Sequence, residues 1–240
     1  MTYIDYAKLD AIDISAYRNT QPYPYLNPAG ILTDEAFEVL RTNLPPMEVM
    51  QPFFGVQRSH GQQAHDRYVL EYQDHLEIPA PWREFIQELR GSRYKRFMYK
   101  AFDTRFLQLN FHWHYTPNGR SVSPHCDAKH KLGSHIFYFN TEQDWDSQWG
   151  GETVVLDDGG RFARESAPKF EDFDRIIHAD AMGNRSFLFT RRGNSWHGVQ
   201  EIKCPEGRYR KVFIVVINDW KRFLKRSLRA RLRGEKASTY

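Results

Sequence analysis

The spacing of hydrophobic positions divides the chain into parts with different periods. In the first hundred residues or so, apolar side chains recur every three to four positions in short segments between proline-rich connectors. Thr33, followed by the acidic residues Asp34 and Glu35, predicts a helix with an N-terminal cap. Pro81 and Gly91 enclose a second apolar segment, as expected for a short helix. The N-terminal part is therefore predicted to be helical and irregular.

From about residue 106 the hydrophobic period changes to two, which is the period of a half-buried β-strand. Short segments rich in aromatic and β-branched residues alternate there with turn residues. The predicted strands are Phe106–His114, Ser134–Asn140, Glu152–Leu156, Ser186–Thr190, Ser195–Val199 and Lys211–Asn218. Many short strands with turns between them favour a sandwich or an open barrel over an alternating α/β fold. We therefore predict a mainly β core with flanking helices.

A helical period returns after Asp219, a candidate N-cap. Apolar residues fall on one stripe among basic residues, at Trp220, Phe223, Leu224, Leu228 and Leu232. This tail holds eight lysines and arginines against two acids, so it accounts for the net charge of +4 and leaves the body near neutral. We predict an N-terminal helical region packing on the core (1–104), a β core (105–218) and a basic amphipathic C-terminal helix and tail (219–240). The helix is expected to pack on the core, and binding to an anionic surface or partner is the alternative. The near-neutral body does not indicate binding to nucleic acid.

Composition narrows the class of protein further. The purest apolar run, Val212–Ile217, is far shorter than the roughly 20 residues of a membrane-spanning helix, so we expect no membrane segment. The N-terminus lacks the basic and apolar stretches of a secretory signal. The only two cysteines, Cys126 and Cys204, exclude a disulfide framework and suit a reducing compartment. The expected location is the cytoplasm.

Three residues of the β region have the chemistry of a metal site. His125 and Asp127 lie two positions apart, so on a strand they would point to the same face. His197 lies in a later strand-like segment. Two histidines and one carboxylate on one side of a metal leave other positions open, as in non-haem Fe(II) oxygenases. A rival pair, His112 and His114, occupies the preceding strand.

The residues around these candidates form an ordered series of motifs over about one hundred positions. In chain order they are Tyr115-x-x-x-Gly119, Pro124-His125-Cys126-Asp127, His135 to Asn140, Trp149-Gly150-Gly151-Glu152-Thr153, Trp196-His197-Gly198-Val199 and Gly207-x-x-Arg210-Lys211. The series closely resembles that of the 2-oxoglutarate- and Fe(II)-dependent dioxygenases. Within that superfamily it is most similar to the prolyl 4-hydroxylase-like branch. The resemblance does not cover the first hundred residues.

The resemblance implies a double-stranded β-helix, a jelly-roll fold like that of the cupins, with iron held by His125, Asp127 and His197. It also implies 2-oxoglutarate as co-substrate, O2 as oxidant and ascorbate as a candidate accessory reductant. The expected reaction hydroxylates an unactivated C–H bond and releases succinate and CO2. Because Asp127 is present where related halogenases have a small residue, we expect hydroxylation.

The resemblance also implies an anchor for 2-oxoglutarate. Family members place a basic residue at the start of the strand after the distal histidine, where it pairs with the far carboxylate. Arg210 matches that position, and a planar guanidinium suits a carboxylate. Val212 stands where a hydroxyl residue is usual, so Lys211 and Arg208 also stay candidates.

Two tyrosines match positions at which the hypoxia-sensing prolyl hydroxylases place tyrosines facing the iron and the co-substrate. Tyr115 lies ten positions before His125, and Tyr138 lies two positions before Asn140. The resemblance therefore implies that Tyr115 and Tyr138 belong to the co-substrate site. Core packing is the alternative for each of them.

Two other classes of protein compete with a hydroxylase. A non-catalytic β-helix protein would bind a ligand or metal without turnover. A nucleic-acid demethylase of the same superfamily would carry a second arginine six positions after Arg210, where this chain has Val216. The substrate stays open between a free amino acid, a peptidyl residue and a biosynthetic intermediate. We expect specificity to lie in the first hundred residues and in residues 157–184, which are long enough to form a lid.

Overall fold

Short helices precede and flank a β core in the computed structural model, which describes residues 1–225. The helices are α1 (Tyr6–Asp10), α2 (Ile14–Asn19), α3 (Asp34–Thr42), α4 (Ala80–Arg90) and α5 (Ser92–Phe102). The strands are β1 (Tyr25–Leu26), β2 (Gln51–Phe53), β3 (Arg67–Glu71), β4 (Leu107–Pro117), β5 (Val122–His125), β6 (Lys131–Tyr138), β7 (Val154–Asp157), β8 (Arg175–His178), β9 (Ser186–Thr190), β10 (His197–Val199) and β11 (Tyr209–Asp219).

The strands form two antiparallel sheets. The larger sheet has the order β1-β9-β6-β11-β4-β3-β2, and the smaller sheet has the order β5-β10-β7-β8. From β4 to β7 the chain enters the two sheets in turn, and β9, β10 and β11 repeat the alternation. This winding between two sheets is a double-stranded β-helix. The predicted mainly β fold with flanking helices is confirmed.

Strand β11 lies between β4 and β6 and has different surroundings on its two faces. Phe213 pairs in register with Trp113 of β4 and Phe137 of β6, and these side chains join a core cluster shared with the N-terminal helices. Arg210 and Ile214 have the opposite parity and line a cavity inside the core. Alternation along one strand thus separates a structural face from a chemical face.

Helix α4 attaches the N-terminal part to the large sheet. Trp82 is fully buried, and its ring centroid lies 5.1 Å from that of Trp113 and 4.9 Å from that of Phe213. The predicted proline start and glycine end of this helix are present, with Gly91 as the C-cap. The predicted cap of α3 is also present, because the amide of Ala36 donates to the Thr33 hydroxyl at 3.2 Å.

The N-terminal part contains more regular structure than the sequence pattern indicates. Strand β3 pairs with β4, with Val69 opposite His114, and β2 pairs with β3. These strands extend the large sheet at one edge, where neither has a clean alternation of buried and exposed positions. The helix α5 follows α4 after the single residue Gly91 and was not predicted.

Residues 157–184 do not form one open loop. Within them β8 pairs with β7 along its whole length, from Arg175 opposite Asp157 to His178 opposite Val154. The remaining residues of the segment include a short 3-10 turn at Phe170–Asp172. A lid over all of residues 157–184 is therefore excluded, because the second half is bound to the small sheet.

The C-terminal segment begins as predicted but is not packed as predicted. The Asp219 carboxylate accepts a hydrogen bond from the amide of Arg222 at 3.1 Å, and residues 220–225 are helical. Trp220 and Leu224, expected to pack on the core, are 45% and 42% exposed. Polar contacts attach the start of the helix instead: the amide of Trp220 donates to the Phe106 carbonyl, and Arg222 Nη1 donates to the carbonyl of Lys129 at 2.9 Å. Leu228, Leu232 and the end of the predicted 219–240 helix lie outside the described residues.

Within residues 1–225, no helix combines the length and the apolar character needed to cross a membrane. Cys126 and Cys204 are both buried free thiols.

Replacement of Trp82 with alanine tests the packing of α4 on the sheet. We expect a loss of about 3 to 5 kcal/mol in the free energy of unfolding, because a large buried side chain leaves a cavity between helix and sheet. Trp220→Ala is the matched control, since the exposed ring should contribute no more than about 0.5 kcal/mol. Denaturant unfolding of both variants measures the difference, and equal losses would contradict this packing.

Candidate metal centre and active-site cavity

Strand pairing in the small sheet brings the two predicted histidine ligands together, and Asp127 lies beside them. His197 of β10 is the register partner of His125 of β5, and the centroids of the two rings are 4.3 Å apart. The donor atoms of His125, Asp127 and His197 all lie within 4.8 Å of one another, and all three residues are buried. Among the described residues, this is the one group of three or more such side chains that could hold a metal ion.

Asp127 reaches this group by a different route from the one predicted. Strand β5 ends at His125, so strand alternation does not place the carboxylate. The backbone after the strand is held instead by two arginines. The carbonyl of Asp127 accepts hydrogen bonds from Arg191 Nε at 3.2 Å and from Arg164 Nη1 at 3.4 Å. Arg191 lies between β9 and β10, and Arg164 lies between β7 and β8. Two loop residues thus fix the backbone of the third ligand.

Both imidazole rings are oriented by backbone carbonyls. His125 Nδ1 lies 2.9 Å from the carbonyl oxygen of Ser123, and His197 Nδ1 lies 2.9 Å from that of Ser195. A carbonyl only accepts, so each Nδ1 carries the proton and each Nε2 keeps its lone pair. This arrangement sets the tautomer that a metal ion requires.

The electrostatics of the group also suit a divalent metal. Burial lowers the pKa of His125 and of His197 below the ordinary value, so both rings are neutral at neutral pH. Burial alone would raise the pKa of Asp127, but Lys131 and the two histidines outweigh burial and hold that pKa below its usual range. Lys131 Nζ lies 3.0 Å from Asp127 Oδ1. Two neutral imidazoles and one carboxylate are the donor set that fits non-haem Fe(II).

The structure distinguishes among the three candidate anchors for 2-oxoglutarate. Arg210 is only 6% exposed and lines the cavity next to the metal group. Lys211 has the opposite parity and forms an ion pair with Asp144, with Nζ 3.0 Å from Oδ2. Arg208 is exposed. Of the three, Arg210 is the one that lines the cavity.

A hydroxyl also lies beside Arg210, although not on β11. Arg210 Nη2 donates to Thr153 Oγ1 at 3.3 Å, and Arg210 Nε donates to the carbonyl of Gly151. A Cβ at Gly151 would lie 3.3 Å from the Arg210 side chain, and φ there is +95°, so glycine permits this close approach. Thr153 therefore places a hydroxyl group next to the Arg210 guanidinium, whereas Val212 has none. Thr153 ends the motif Trp149-Gly150-Gly151-Glu152-Thr153, whose sequence alone indicates no chemical role for it.

Tyr138 and Tyr115 have different outcomes. Tyr138 is buried beside Arg210, whose guanidinium carbon lies 5.5 Å from the ring centroid, and its hydroxyl donates to Thr153 at 2.7 Å. The expectation for Tyr115 is wrong. Its side chain joins the core on the helical side of the sheet, and its hydroxyl donates to the carbonyl of Pro45 at 2.8 Å. Strand alternation is the reason, because Tyr115 has the opposite parity to its cavity-lining neighbours in β4.

The rival histidine pair does not form part of the metal group. His112 and His114 lie on the same face of β4, with ring centroids 6.0 Å apart. His114 lines the cavity, whereas His112 is fully buried in the protein. Neither contributes a donor atom to the three-residue cluster.

The cavity also contains residues that sequence analysis did not select. Its volume is about 160 Å³, and the additional polar residues in its walls include Arg58, His65, Arg67 and Lys131. The ring centroid of His65 lies 4.4 Å from that of His125, and His65 Nε2 lies 3.1 Å from the Ser123 hydroxyl. Arg58, His65 and Arg67 precede the motif region. The alternation of His65 and Arg67, ahead of the apolar pair Val69 and Leu70, was the one sequence signal for a strand with polar residues on one face.

A double-stranded β-helix that holds two histidines and a carboxylate beside a buried arginine defines a non-haem iron oxygenase. Residues 109–218 match the family model of the 2OG-Fe(II) oxygenase superfamily. The β core therefore belongs to that superfamily, and the protein is a 2-oxoglutarate-dependent non-haem iron oxygenase. The resemblance found in the motifs is confirmed. No curated protein matches the sequence of the chain at a significant level.

Solved structures share the fold at low sequence identity. A prolyl 4-hydroxylase from Pseudomonas putida has a TM-score of 0.56 and 13% identity, over 85% of this chain and 98% of that one. A prolyl hydroxylase from Trichoplax adhaerens, in complex with a hypoxia-inducible factor peptide, has a TM-score of 0.58 and 15% identity. The match covers 90% of this chain and 91% of that one. The α-ketoglutarate-dependent carbocyclase SnoK from nogalamycin biosynthesis has a TM-score of 0.60 and 11% identity. The match covers 88% of this chain and 85% of that one. These similarities establish the fold.

A glycine beside His197 offers a test of the strand pairing that forms the metal group. A Cβ at Gly198 would lie 2.6 Å from the carbonyl oxygen of Val122, so Gly198→Ala should push β10 away from β5. We expect the affinity for Co(II), measured by calorimetry, to fall about tenfold or more. Gly193→Ala is the control, since its Cβ meets nothing within 4 Å. Unchanged Co(II) affinity in Gly198→Ala would contradict the role of this pairing.

Proposed function

We propose that the protein hydroxylates an unactivated C–H bond of a free amino acid, a peptidyl residue or a biosynthetic intermediate. In this proposal 2-oxoglutarate is converted to succinate and CO2, and ascorbate acts as an accessory reductant. One observation carries the proposal: the His125, Asp127 and His197 group and the buried Arg210 line the same cavity. An anchor for a dicarboxylate beside an iron-type donor set is what this reaction needs.

The three ligand residues would hold Fe(II) through two Nε2 atoms and one carboxylate. When bound, Fe(II) with 2-oxoglutarate supplies the activation of O2 for oxidation of the substrate. Ser123 and Ser195 hold the histidine rings in the required orientation through their carbonyl groups. Positions left free by three protein ligands would receive the co-substrate and O2.

Arg210 would pair with the far carboxylate of 2-oxoglutarate. Its guanidinium is already fixed by Gly151 and Thr153 and lies beside the ring of Tyr138, so little side-chain freedom is lost on binding. A buried guanidinium forms strong, directional hydrogen bonds with a carboxylate. Tyr138 and Thr153 act here as positioning residues for Arg210.

Apolar side chains complete the walls of the cavity and limit access of water. They include Ile136 of β6, Phe189 of β9, and Ile214 and Val216 of β11. Exclusion of water strengthens each charge interaction inside the site. Val216 occupies the position at which a demethylase would carry its second arginine, which disfavours nucleic acid as the substrate.

The structures with similar folds carry different activities in their names, so the fold leaves the reaction outcome open. We favour hydroxylation because Asp127 completes the donor set. A small molecule or a peptide is the expected partner, and a cytoplasmic location stays a prediction.

Alanine substitution of the proposed ligands tests the metal site. His125→Ala, Asp127→Ala and His197→Ala should each abolish both Fe(II)-dependent binding of 2-oxoglutarate and release of succinate, because each removes one of three donors. Calorimetry under argon and succinate assays in air measure the two effects. His75→Ala, at an exposed histidine, is the control and should be unaffected. Retained succinate release in His197→Ala would contradict the assignment.

Substitutions on β11 test the anchor. Arg210→Ala should raise the apparent requirement for 2-oxoglutarate at least about thirtyfold without loss of metal, since loss of one partner of a buried charge pair costs about 2 to 5 kcal/mol. Arg210→Lys should recover only part of the affinity, because the forked donor geometry is lost.

Lys211→Ala is the matched control on the opposite face of the strand and should leave the requirement for 2-oxoglutarate nearly unchanged. Measurement of succinate formation against 2-oxoglutarate concentration compares the three variants. A large rise in the 2-oxoglutarate requirement of Lys211→Ala, with none in Arg210→Ala, would contradict the assignment of Arg210. The anchor would then lie on the opposite face of β11.

A further inference from the structure

His65 contacts the metal group from a part of the chain that precedes the motif region. Its ring centroid lies 4.4 Å from that of His125, and the side chain is buried at the wall of the cavity. His65 is not a member of the three-residue donor group found among residues 1–225. We propose that His65 is a positioning residue, which holds the ligand His125 in place through the hydroxyl group of Ser123. This inference rests on the proposed function, because it concerns the metal site of that function.

Ser123 contacts both histidines, one through its backbone and one through its side chain. The carbonyl oxygen of Ser123 accepts a hydrogen bond from His125 Nδ1 at 2.9 Å. The hydroxyl oxygen of the same residue lies 3.1 Å from His65 Nε2. A displacement of Ser123 would therefore move the acceptor that orients the His125 ring, and His65 opposes that displacement by direct contact.

The second contact of the Ser123 hydroxyl group gives the direction of the hydrogen bond to His65. Ser123 Oγ donates its proton to the carbonyl oxygen of Gln63 at 3.3 Å, and a carbonyl only accepts. A serine hydroxyl has one proton, so Ser123 Oγ accepts from His65 Nε2. His65 is therefore the donor. The short segment 63–65 thus binds the hydroxyl group of Ser123 at two points.

Strand β5, which carries Ser123 and His125, is an edge strand of the small sheet and gains from such a contact. In the described part of the chain β5 pairs with β10 alone, through His125 opposite His197 and Val122 opposite Val199. The register shifts between these two pairs. An edge strand with an irregular register has few backbone hydrogen bonds to fix its side chains. Segment 63–65 supplies a restraint from outside the sheet.

The segment that carries His65 is itself anchored to the large sheet. It leads into β3, which pairs with β4, and Arg67 Nη1 donates to the carbonyl of His65. Asp66 forms an ion pair with Arg120, which lies between β4 and β5, with Oδ2 2.8 Å from Nη1. His65 thus connects the large sheet to a strand of the small sheet. These other contacts should keep the segment in place when the hydrogen bond to Ser123 is removed, so variants at this bond are expected to fold.

A double-mutant cycle on the full-length protein tests the contact. His65→Phe keeps an aromatic ring against His125 but loses the N–H donor, and Ser123→Ala keeps the backbone carbonyl but loses the hydroxyl group. Each should lower the affinity for Co(II), measured by calorimetry, about three- to tenfold, as for the loss of one hydrogen bond. The double variant should lose little more than the larger single loss, because both changes remove the same hydrogen bond. Additive losses, or unchanged affinity in both single variants, would overturn the proposal.

The conservative variant His65→Gln separates the hydrogen bond from the contact between the rings. A glutamine side chain can donate from a position close to that of His65 Nε2, so we expect its Co(II) affinity to stay within about twofold of the wild type. The visible absorption spectrum of bound Co(II) depends on the geometry of its ligands. It should change in His65→Phe and Ser123→Ala and stay like that of the wild type in His65→Gln. Full affinity in His65→Phe with a loss in His65→Gln would assign the effect to the ring contact and overturn the proposal.

Two exposed residues provide matched controls. His75→Phe and Ser92→Ala repeat the same chemical changes at exposed positions, so both should leave the affinity for Co(II) unchanged. Thermal melting measures the stability of every variant. A lower melting temperature in His65→Phe, together with the Co(II) affinity and spectrum of the wild type, would show a purely structural role and overturn the proposal.

Binding of Co(II) by the wild-type protein separates this inference from the proposed function. If the wild-type protein does not bind Co(II), or if His125→Ala binds it as tightly as the wild type does, the metal assignment and the proposed function fail. If the wild-type protein binds Co(II) through His125 while His65→Phe and Ser123→Ala keep full affinity, only the role of His65 fails.

Discussion

The alternation of side chains along β11 is the constraint on which the rest of the structure depends. This strand pairs along its length with β4 and over most of its length with β6. One face places Phe213 against Trp82 of α4, and the other places Arg210 and Ile214 in the cavity. A slip of one residue would exchange the faces, burying Lys211 in the cavity and removing Phe213 from the core. Stability and chemistry are therefore fixed by the same register.

The site concentrates cations in a buried volume, and this arrangement has an energetic cost. The cost of burying Arg210 is partly offset by its hydrogen bonds to Gly151 and Thr153 and by its contact with the ring of Tyr138. These contacts position the guanidinium but do not neutralise its charge. The cost of burying Lys131 is offset by its ion pair with Asp127. The same ion pair keeps the Asp127 carboxylate ionised, as a metal ligand must be. A buried cation without a carboxylate gains more from an anionic ligand than an exposed one does. Arg210 is therefore positioned to gain from the carboxylate of 2-oxoglutarate that we propose it binds.

Local patterns predicted the parts of the fold and site that depend on neighbouring residues. Period-two segments gave the strands of the core, and motif order gave the set of His125, Asp127 and His197, which the structure brings together. Strand β3 was missed because its five residues lack clean alternation. The motif position of Tyr115 does not indicate which face of β4 its side chain occupies, so the sequence does not place it in the core. The contact between His65 and Ser123 joins positions 58 residues apart, which no local pattern encodes.

The walls of the cavity come from two different parts of this chain. The strands that hold the metal group and Arg210 lie within the residues that match the superfamily, 109–218. Arg67 lies outside that range, on β3, which joins the same sheet through its pairing with β4. Arg58 and His65 also lie outside the range, before β3, and line the cavity. The pairing of β3 with β4 therefore brings the N-terminal part of the chain to the metal centre, and no motif within residues 109–218 encodes that contact.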